Sequence, residues 1–446
     1  MRRRNLLLVI LVALRCGAQS APQDQDYLFS VLPLIDRGDL SAAERQLLQG
    51  AKQFPGSGIL YNALGIVYRK EGKIDRAAGS FRKALELLPS FTAAQLQLAS
   101  LDQQQGNKRE AAELYRAAAN GTTNFEALVA AGLGLADCED YSGAAGVLSK
   151  AKAQKPDSSS VTYNLALAQF KAGDSPAAFI TLRDTGSPEP DVLYLRGRIM
   201  ESLGDRQGAN QIAAACRLQP ASETFCSDAA VAAMRQDKFV DALDLVEPAL
   251  QKSPASVALL SVAALAQFRL GRYGEAIHSY RAALDYAPNL DAAREGLGFL
   301  CYMTGDLETA RTVVEAGLQH SSPDFYLSYL DALILYRLAP QWRVQAAAAL
   351  ERAIHANSRF APAYFLRGKI LMEQNNPAAA LMDFERAAQI DPKYPLPYFK
   401  MAQIYSRQGR TTEAESARRR FAELGSLREE EMLARQAQDI LMPAQP

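Results

Sequence analysis

Apolar positions along this chain follow the spacing of short amphipathic helices, and residues 58–91 show the pattern most completely. Two sets of small or apolar residues each share one helix face: Tyr61, Leu64, Gly65 and Tyr68 in a first helix, and Ala77, Phe81 and Ala84 in a second. Gly72 lies between the sets, where a tight turn favours a residue without a Cβ atom. Pro89 ends the second helix because proline lacks an amide hydrogen. The segment therefore predicts a helix–turn–helix pair.

The same pattern returns in frames that begin near residues 24, 58, 92, 125, 159, 190, 223, 257, 291, 325, 361 and 395. An alanine opens the packed face of the second helix in every frame: Ala43, Ala77, Ala111, Ala144, Ala178, Ala209, Ala242, Ala276, Ala310, Ala346, Ala380 and Ala414. Helices that cross closely leave no room for a longer side chain there. The turn position is glycine in most frames, and Glu139, Asp237 and Asn375 hold it in three others. We expect successive pairs to stack, because one pair cannot bury its own apolar face.

These residues and spacings resemble the tetratricopeptide repeat, which places an aromatic residue, Leu-Gly, Tyr, Ala, Phe, Ala and Pro over about 34 residues. The resemblance implies an all-α tetratricopeptide-repeat solenoid, a right-handed superhelix of about twelve helix–turn–helix repeats. We predict an N-terminal block of five repeats at residues 24–189 and a C-terminal block of seven at 190–428, because the pattern is lost near residues 183–187. Residues 426–441 have the spacing of an end-capping helix, and we assign 429–446 to the end of that helix and a tail.

The first twenty residues have the three-part pattern of a secretory signal peptide. Three arginines precede the apolar run from Leu6 to Leu14, and small and polar residues follow. A run of this length is too short to span a bilayer of about 30 Å. Removal of residues 1–20 takes away four arginines and no acid, which leaves 45 basic and 49 acidic residues. We predict an extracytoplasmic mature chain, periplasmic or secreted, without stable membrane insertion and without the basic stripe of a nucleic-acid-binding protein.

The chain carries no motif that predicts catalysis. His278, His320 and His355 lie far apart, and none belongs to a metal-binding pair. Serine-nucleophile, phosphate-loop and CxxC motifs are missing from the sequence. We therefore predict a non-enzyme that uses neither a metal nor another cofactor.

Cys216 and Cys226 are the cysteines whose spacing allows a bond. They are ten residues apart, on the second helix of one frame and the first helix of the next, which pack together. In an oxidising compartment such a pair can form a disulfide. The spacing does not establish the required geometry, so a disulfide and two separate thiols both remain open.

The resemblance implies that the first helix of each repeat lines a concave groove through fixed positions. Carried onto this sequence, those positions give a candidate partner-binding set of aromatic, basic and amide residues: Asn62, Arg69, Lys70, Tyr163, Phe170, Lys171, Tyr194, Arg198, Phe268, Arg269, Phe299, Tyr302, Phe365, Lys369, Phe399 and Arg407. Aromatic residues and arginine commonly anchor protein interfaces. The alternative for each ring is packing between neighbouring first helices.

The function that this pattern favours is non-catalytic protein–protein interaction outside the cytoplasm, with a segment of a protein or peptide partner held along the groove. The alternative is a structural scaffold subunit of an envelope export or assembly complex. Aromatic content favours the first hypothesis, because rings suit a peptide better than a flat docking face. The sequence does not identify the partner.

Overall fold

A computed structural model describes residues 22–183, 186, 188–320, 324–425 and 429–441. Within these ranges the ordered elements are α-helices and one short 3-10 segment, and they include no strand. The predicted signal peptide at residues 1–20 lies outside the described residues. The chain divides into two compact units, the first ending at Gly208 and the second beginning at Ala209. The predicted block boundary at residues 189 and 190 precedes this division by one helix and stays a prediction.

Unit 1 consists of five consecutive helix pairs followed by a single helix. Its helices are α1 Pro22–Arg37, α2 Leu40–Gln53, α3 Gly58–Lys70, α4 Ile74–Leu87, α5 Thr92–Gln104, α6 Lys108–Asn120, α7 Phe125–Asp137, α8 Tyr141–Gln154, α9 Ser159–Lys171, α10 Ser175–Arg183 and α11 Pro190–Ser202. Odd-numbered helices are the first helices of their frames. Helices α1, α3, α5, α7 and α9 each pack on their partner and on the next first helix of unit 1, as a stacked repeat requires.

Unit 2 contains six further pairs and two additional helices, one before the pairs and one after them. Its helices are α12 Gly208–Leu218, whose first residue closes unit 1, then α13 Glu223–Met234, α14 Phe239–Lys252, α15 Val257–Arg269, α16 Tyr273–Tyr286, α17 Asp291–Thr304, α18 Leu307–His320, α19 Phe325–Leu338, α20 Arg343–Ala356, α21 Ala361–Glu373, α22 Pro377–Ile390, α23 Pro395–Arg407, α24 Thr411–Leu424 and α25 Glu429–Leu441. The 3-10 segment Pro340–Trp342 joins α19 to α20. The predicted all-α repeat fold is confirmed.

The turn inside each pair uses a left-handed backbone at the predicted position. Eight frames place glycine there with φ between 71° and 86°. Glu139, Asp237 and Asn375 hold the same position in three other frames, with φ of 67°, 58° and 59°. Glycine adopts this conformation without a Cβ clash, which explains why the position is glycine in most frames. The turn geometry therefore follows directly from the repeat pattern.

The alanines of the second helices form the tightest part of the core. All twelve are buried, and ten of them have no exposed surface. Glycine on the first helix permits a similar approach: a Cβ atom on Gly65 would lie 2.5 Å from Cε1 of Phe81. Gly368 and Phe384 repeat this contact in unit 2, at 2.6 Å. Small residues thus set how closely the two helices of a pair approach.

Candidate functional site

The first helices of unit 2 carry a continuous row of aromatic and basic side chains, which we call the aromatic ladder. It begins on α15, where the ring of Phe268 lies 5.7 Å from that of Phe299 on α17. The Phe299 ring lies 6.5 Å from that of Tyr302, one turn further along α17. These distances are typical of aromatic pairs in protein cores. Two neighbouring repeats are thereby joined through their first helices.

Cation–π contacts continue the ladder across α19 and α21. The guanidinium carbon of Arg337 lies 5.0 Å from the Tyr302 ring, and its Nη1 donates a hydrogen bond to the Tyr302 carbonyl at 2.8 Å. Lys369 Nζ lies 4.9 Å from the Tyr336 ring and 5.9 Å from the Phe365 ring. All three cation–ring distances fall within the range in which a ring face attracts a cation.

The ladder ends where α23 begins. The Phe365 ring lies 5.3 Å from that of Tyr394, the residue that precedes α23. Burial raises the pKa of the Tyr302 hydroxyl, and the pKa of Tyr394 rises well above its usual value for the same reason. Most rings of the ladder are therefore shielded from water, and the ladder runs from the eighth frame to the start of the twelfth.

Helix α25 lies against this surface. It packs on α17 and α15, the first helices of the ninth and eighth frames, although it follows the twelfth frame in sequence. Its Met432 belongs to the buried apolar cluster that also contains Phe365 and Tyr394. The sequence predicts an end cap for this segment, whereas the structure places it back along the first helices. An amphipathic helix meets its need for burial in either place, which is why its pattern does not distinguish the two.

One ion pair fixes the N-terminal end of α25. Lys369 Nζ lies 2.7 Å from Glu429 Oε1, and the lysine side chain is 17% exposed. Lys400 on α23 is close by: burial lowers its pKa, the charge of Lys369 lowers it further, and Glu429 opposes both. Glu429 therefore pairs with Lys369 and partly offsets the repulsion between Lys369 and Lys400. The first turn of α25 carries Glu429, Glu430 and Glu431.

The apolar face of α25 begins one turn after Glu429. Met432, Leu433 and Ala437 are 7%, 6% and 0% exposed, while Arg435 points to solvent. Gln436 lies on the buried side, and its Oε1 atom is buried without a hydrogen-bond partner. The helix therefore presents a carboxylate followed by an apolar stripe, with one polar defect in the stripe.

The predicted groove residues of unit 1 lie in a surface that is more polar than the aromatic ladder of unit 2. Arg69 Nη1 on α3 donates to Gln97 Oε1 on α5 at 2.7 Å, and the Asn62 side chain is buried. The rings of Tyr163 and Phe170 are partly buried beside the apolar cluster of α9–α11. The remaining four are Lys70 and Lys171, which are exposed, and Tyr194 and Arg198, which hydrogen-bond to each other at 3.1 Å. A partner contact for each of these residues stays a prediction.

The predicted groove residues of unit 2 divide into buried rings and accessible residues. Phe268, Phe299 and Phe365 are 1%, 1% and 3% exposed, so packing between helices describes these three rings in this structure. Arg269 pairs with Asp237 at 3.3 Å and lies over the Phe239 ring. Phe399 is 40% exposed and lies against Phe421, and Arg407 is exposed. Among the sixteen residues, the structure brings together Phe268, Phe299, Tyr302, Phe365 and Lys369.

Four residues of the site were not predicted. Tyr336 and Arg337 occupy the same frame positions as Arg69 and Lys70, yet the predicted set did not include them, and Lys400 lies one position after Phe399. Glu429 belongs to a segment predicted to be a cap. The glutamate run that opens a helix was the available signal, because three carboxylates beside an apolar stripe suit a basic, aromatic surface.

Cys216 and Cys226 are joined by a disulfide in unit 2. Their sulfur atoms lie 2.11 Å apart, with 4.8 Å between the Cα atoms. Cys138 and the buried Cys301 are free thiols. Burial raises the pKa of both thiols, which disfavours the reactive thiolate form.

Within the described residues, no group of three or more His, Cys, Asp or Glu side chains could hold a metal ion. No helix in the same ranges is long and apolar enough to cross a membrane.

Family models for tetratricopeptide repeats match three parts of the chain. The matched residues are 58–91, the overlapping segments 227–290 and 261–324, and 368–409. The chain contains tetratricopeptide repeats. Repeats of this type build extended surfaces that bind other proteins, so the fold is that of a protein-interaction scaffold. No curated protein matches the chain.

Several solved structures of repeat proteins are similar to this chain. The structure of Naa15/Naa10 bound to HypK-THB is 15% identical, covers 89% of this chain and 68% of its own, and has a TM-score of 0.44. Yeast Tom70 is 13% identical, with 94% and 99% covered and a TM-score of 0.38. YrrB, described as a TPR protein with an unusual peptide-binding site, is 18% identical, with 44% and 97% covered and a TM-score of 0.33.

Proposed function

We propose that this protein binds a helical segment of a protein partner along the aromatic ladder of unit 2. The observation that carries the proposal is the position of α25, since a helix with an acidic end and an apolar face lies on this surface. Helix-in-groove recognition uses the same elements, namely apolar side chains spaced along one face and a charged residue that sets the register. The chain acts as a scaffold in this proposal and supplies no catalytic group.

We further propose that the protein works outside the cytoplasm, in the periplasm or secreted. Two observations support this location. Residues 1–20 have the charge and apolar pattern of a secretory signal, and Cys216 and Cys226 form a disulfide, which persists mainly in oxidising compartments. N-terminal sequencing of the chain from the extracytoplasmic fraction tests the location. We expect a mature start after Ala18 or Ser20, and an uncleaved Met1 in the cytoplasmic fraction would contradict it.

Affinity capture with the mature chain, residues 21–446, tests the binding function. The buried rings are unsuitable probes, because removing Phe268 or Phe299 would disturb the core. Lys369→Glu reverses a charge at the ladder, and Lys171→Glu makes the same change at an exposed position of unit 1. We expect a recurrent partner to be lost with Lys369→Glu and kept with Lys171→Glu. The reverse pattern would place the partner on unit 1 and contradict the proposal.

A further inference from the structure

A short connection separates α24 from α25. Helix α24 ends at Leu424, and Gly425 has φ 78° and ψ 161°, a conformation open essentially to glycine alone. Four residues separate Leu424 from Glu429. A tether of this length holds an attached segment at an effective concentration in the millimolar range. Even a weakly binding helix therefore occupies the ladder most of the time.

The positive charges of the ladder determine which end of a bound helix lies near α21. Lys369 and Lys400 are on first helices, and Lys369 pairs with Glu429 in the acidic first turn of α25. Reversing the helix would place its N-terminal dipole and glutamates away from these cations, at a cost in free energy. A ligand for this surface consequently has carboxylates in its first turn and apolar residues in the next two.

The fit of α25 is imperfect in a way that permits exchange. The buried Gln436 Oε1 atom has no hydrogen-bond partner, and an unsatisfied buried acceptor is destabilising. The Lys369–Glu429 pair contributes little, because 43% of the glutamate side chain is exposed. A separate helix with an apolar residue at the position of Gln436 would avoid the defect.

We infer that α25 is an intramolecular ligand that blocks the aromatic ladder, and that the partner is an amphipathic helix with an acidic first turn and a Met/Leu face that displaces it. This inference rests on the proposed function and adds two properties to it: the chemistry of the partner segment and an autoinhibited resting state. Partner binding then depends on how well a segment competes with α25 and not on affinity for the ladder alone.

Binding of a synthetic peptide to the full chain tests the inference. The probe is a fluorescent peptide of residues 429–441 that carries Gln436→Leu, followed by anisotropy. Leu433→Asp in the chain releases α25 by placing a charge on its buried face, and Arg435→Asp introduces the same residue on the exposed face. We expect Leu433→Asp to bind the probe at least about tenfold more tightly than wild type, which corresponds to about 1.4 kcal/mol. Arg435→Asp should bind as wild type does.

Two further measurements separate the possible failures. Hydrogen exchange of the chain's own residues 429–441 should increase when the probe binds to wild type, and adding Lys369→Glu to Leu433→Asp should weaken probe binding roughly fivefold. Equal binding to wild type and Leu433→Asp, with residues 429–441 still protected, would overturn the inference and leave the proposed function standing. No probe binding to Leu433→Asp, with helicity intact by circular dichroism, would overturn both. Glu429→Lys is the second releasing variant if Leu433→Asp does not fold.

Discussion

The two units use the same repeat but join their first helices by different chemistry. In unit 1 the links between first helices include polar hydrogen bonds, such as Arg69 to Gln97 at 2.7 Å and Gln103 to Asp137 at 3.0 Å. In unit 2 the corresponding links also include ring contacts, such as Phe268 to Phe299 at 5.7 Å. A polar link keeps its hydration when the surface is open, whereas a row of rings gains from being covered. Unit 2 is also the unit in which a helix, α25, lies over this surface.

The difference between the two units concerns the residue types on the first helices, because both units are built from the same repeat. The repeat frame fixes where a first-helix residue lies, and the residue type decides whether the surface is an open polar face or a site for an apolar helix. Phe268 and Phe299 join neighbouring repeats and belong to the ladder. The pair of Lys369 with Glu429 links two segments sixty residues apart in sequence, and in the proposed function Lys369 takes part in recognition.

The largest expected effect comes from removing a ring of the ladder. Phe299→Ala should lower the free energy of unfolding by about 3–5 kcal/mol, because the ring is 1% exposed and leaves a cavity. Phe170→Ala in unit 1 should cost less, since that ring is only partly buried. Urea unfolding followed by circular dichroism measures both. Equal losses would show that the ladder is no more tightly packed than the face of unit 1.

Loss of the disulfide should destabilise unit 2 selectively. Closing a loop of about ten residues typically contributes about 2–4 kcal/mol, so reduction should increase hydrogen exchange around α12 and α13. Mass spectrometry resolves the two units, and exchange in α3–α8 should stay unchanged. A uniform increase throughout the chain would contradict a local contribution.

A buried carboxyl in unit 2 should make its stability depend on pH. Burial, followed by the nearby Asp324 and Asp291, raises the pKa of Glu295 from 4.5 to about 8. Because the folded state holds this proton more tightly than the unfolded state, the stabilisation is complete below the unfolded pKa and is lost as pH rises through about 8. We expect a loss of about 2 kcal/mol between pH 6 and pH 8. Glu295→Gln should remove this dependence.

The matched control for that measurement is Glu126→Gln in unit 1, whose side chain is 44% exposed. It should leave the pH profile of unfolding as it is in wild type. A Glu295→Gln profile with the wild-type slope would assign the dependence to other groups.

The smallest effect concerns the pair that holds α25. Lys369→Glu should raise hydrogen exchange in residues 429–441 by roughly fivefold, because an ion pair of about 1 kcal/mol is replaced by repulsion. Lys70→Glu, at an exposed first-helix position of unit 1, should change nothing in that segment. Similar exchange in both variants would mean that the pair does not hold the helix.

The sequence was sufficient for the features that repeat. Every frame alanine is buried, and Glu139, Asp237 and Asn375 have the left-handed backbone of the glycines they replace. Each of these properties depends on contacts within one frame or between adjacent frames. The local pattern therefore contains the information that fixes them.

The position of α25 and the burial of the first-helix rings could not be predicted from the local repeat pattern. An amphipathic pattern states that Met432 and Leu433 are buried, but not against which helix. Phe365 occupies a predicted groove position, yet its burial depends on the neighbouring Phe384 and Tyr394. Besides the glutamate run at the start of α25, Gly425 was a local signal, because a glycine directly after a helix allows the chain to change direction. Contacts between distant frames decide the rest.

Zero-length cross-linking tests most directly whether α25 lies on the ladder. A carbodiimide activates a carboxylate, and attack by a neighbouring amine gives an amide bond with net loss of one water. We expect proteolysis and mass spectrometry of the full chain to show Lys369 joined to Glu429, with Lys108 joined to Glu139 in unit 1 as the internal positive control. Lys369→Arg should abolish the first product and keep the second. Recovery of the Lys108–Glu139 product without any Lys369–Glu429 product in wild type would contradict the placement of α25 on the first helices.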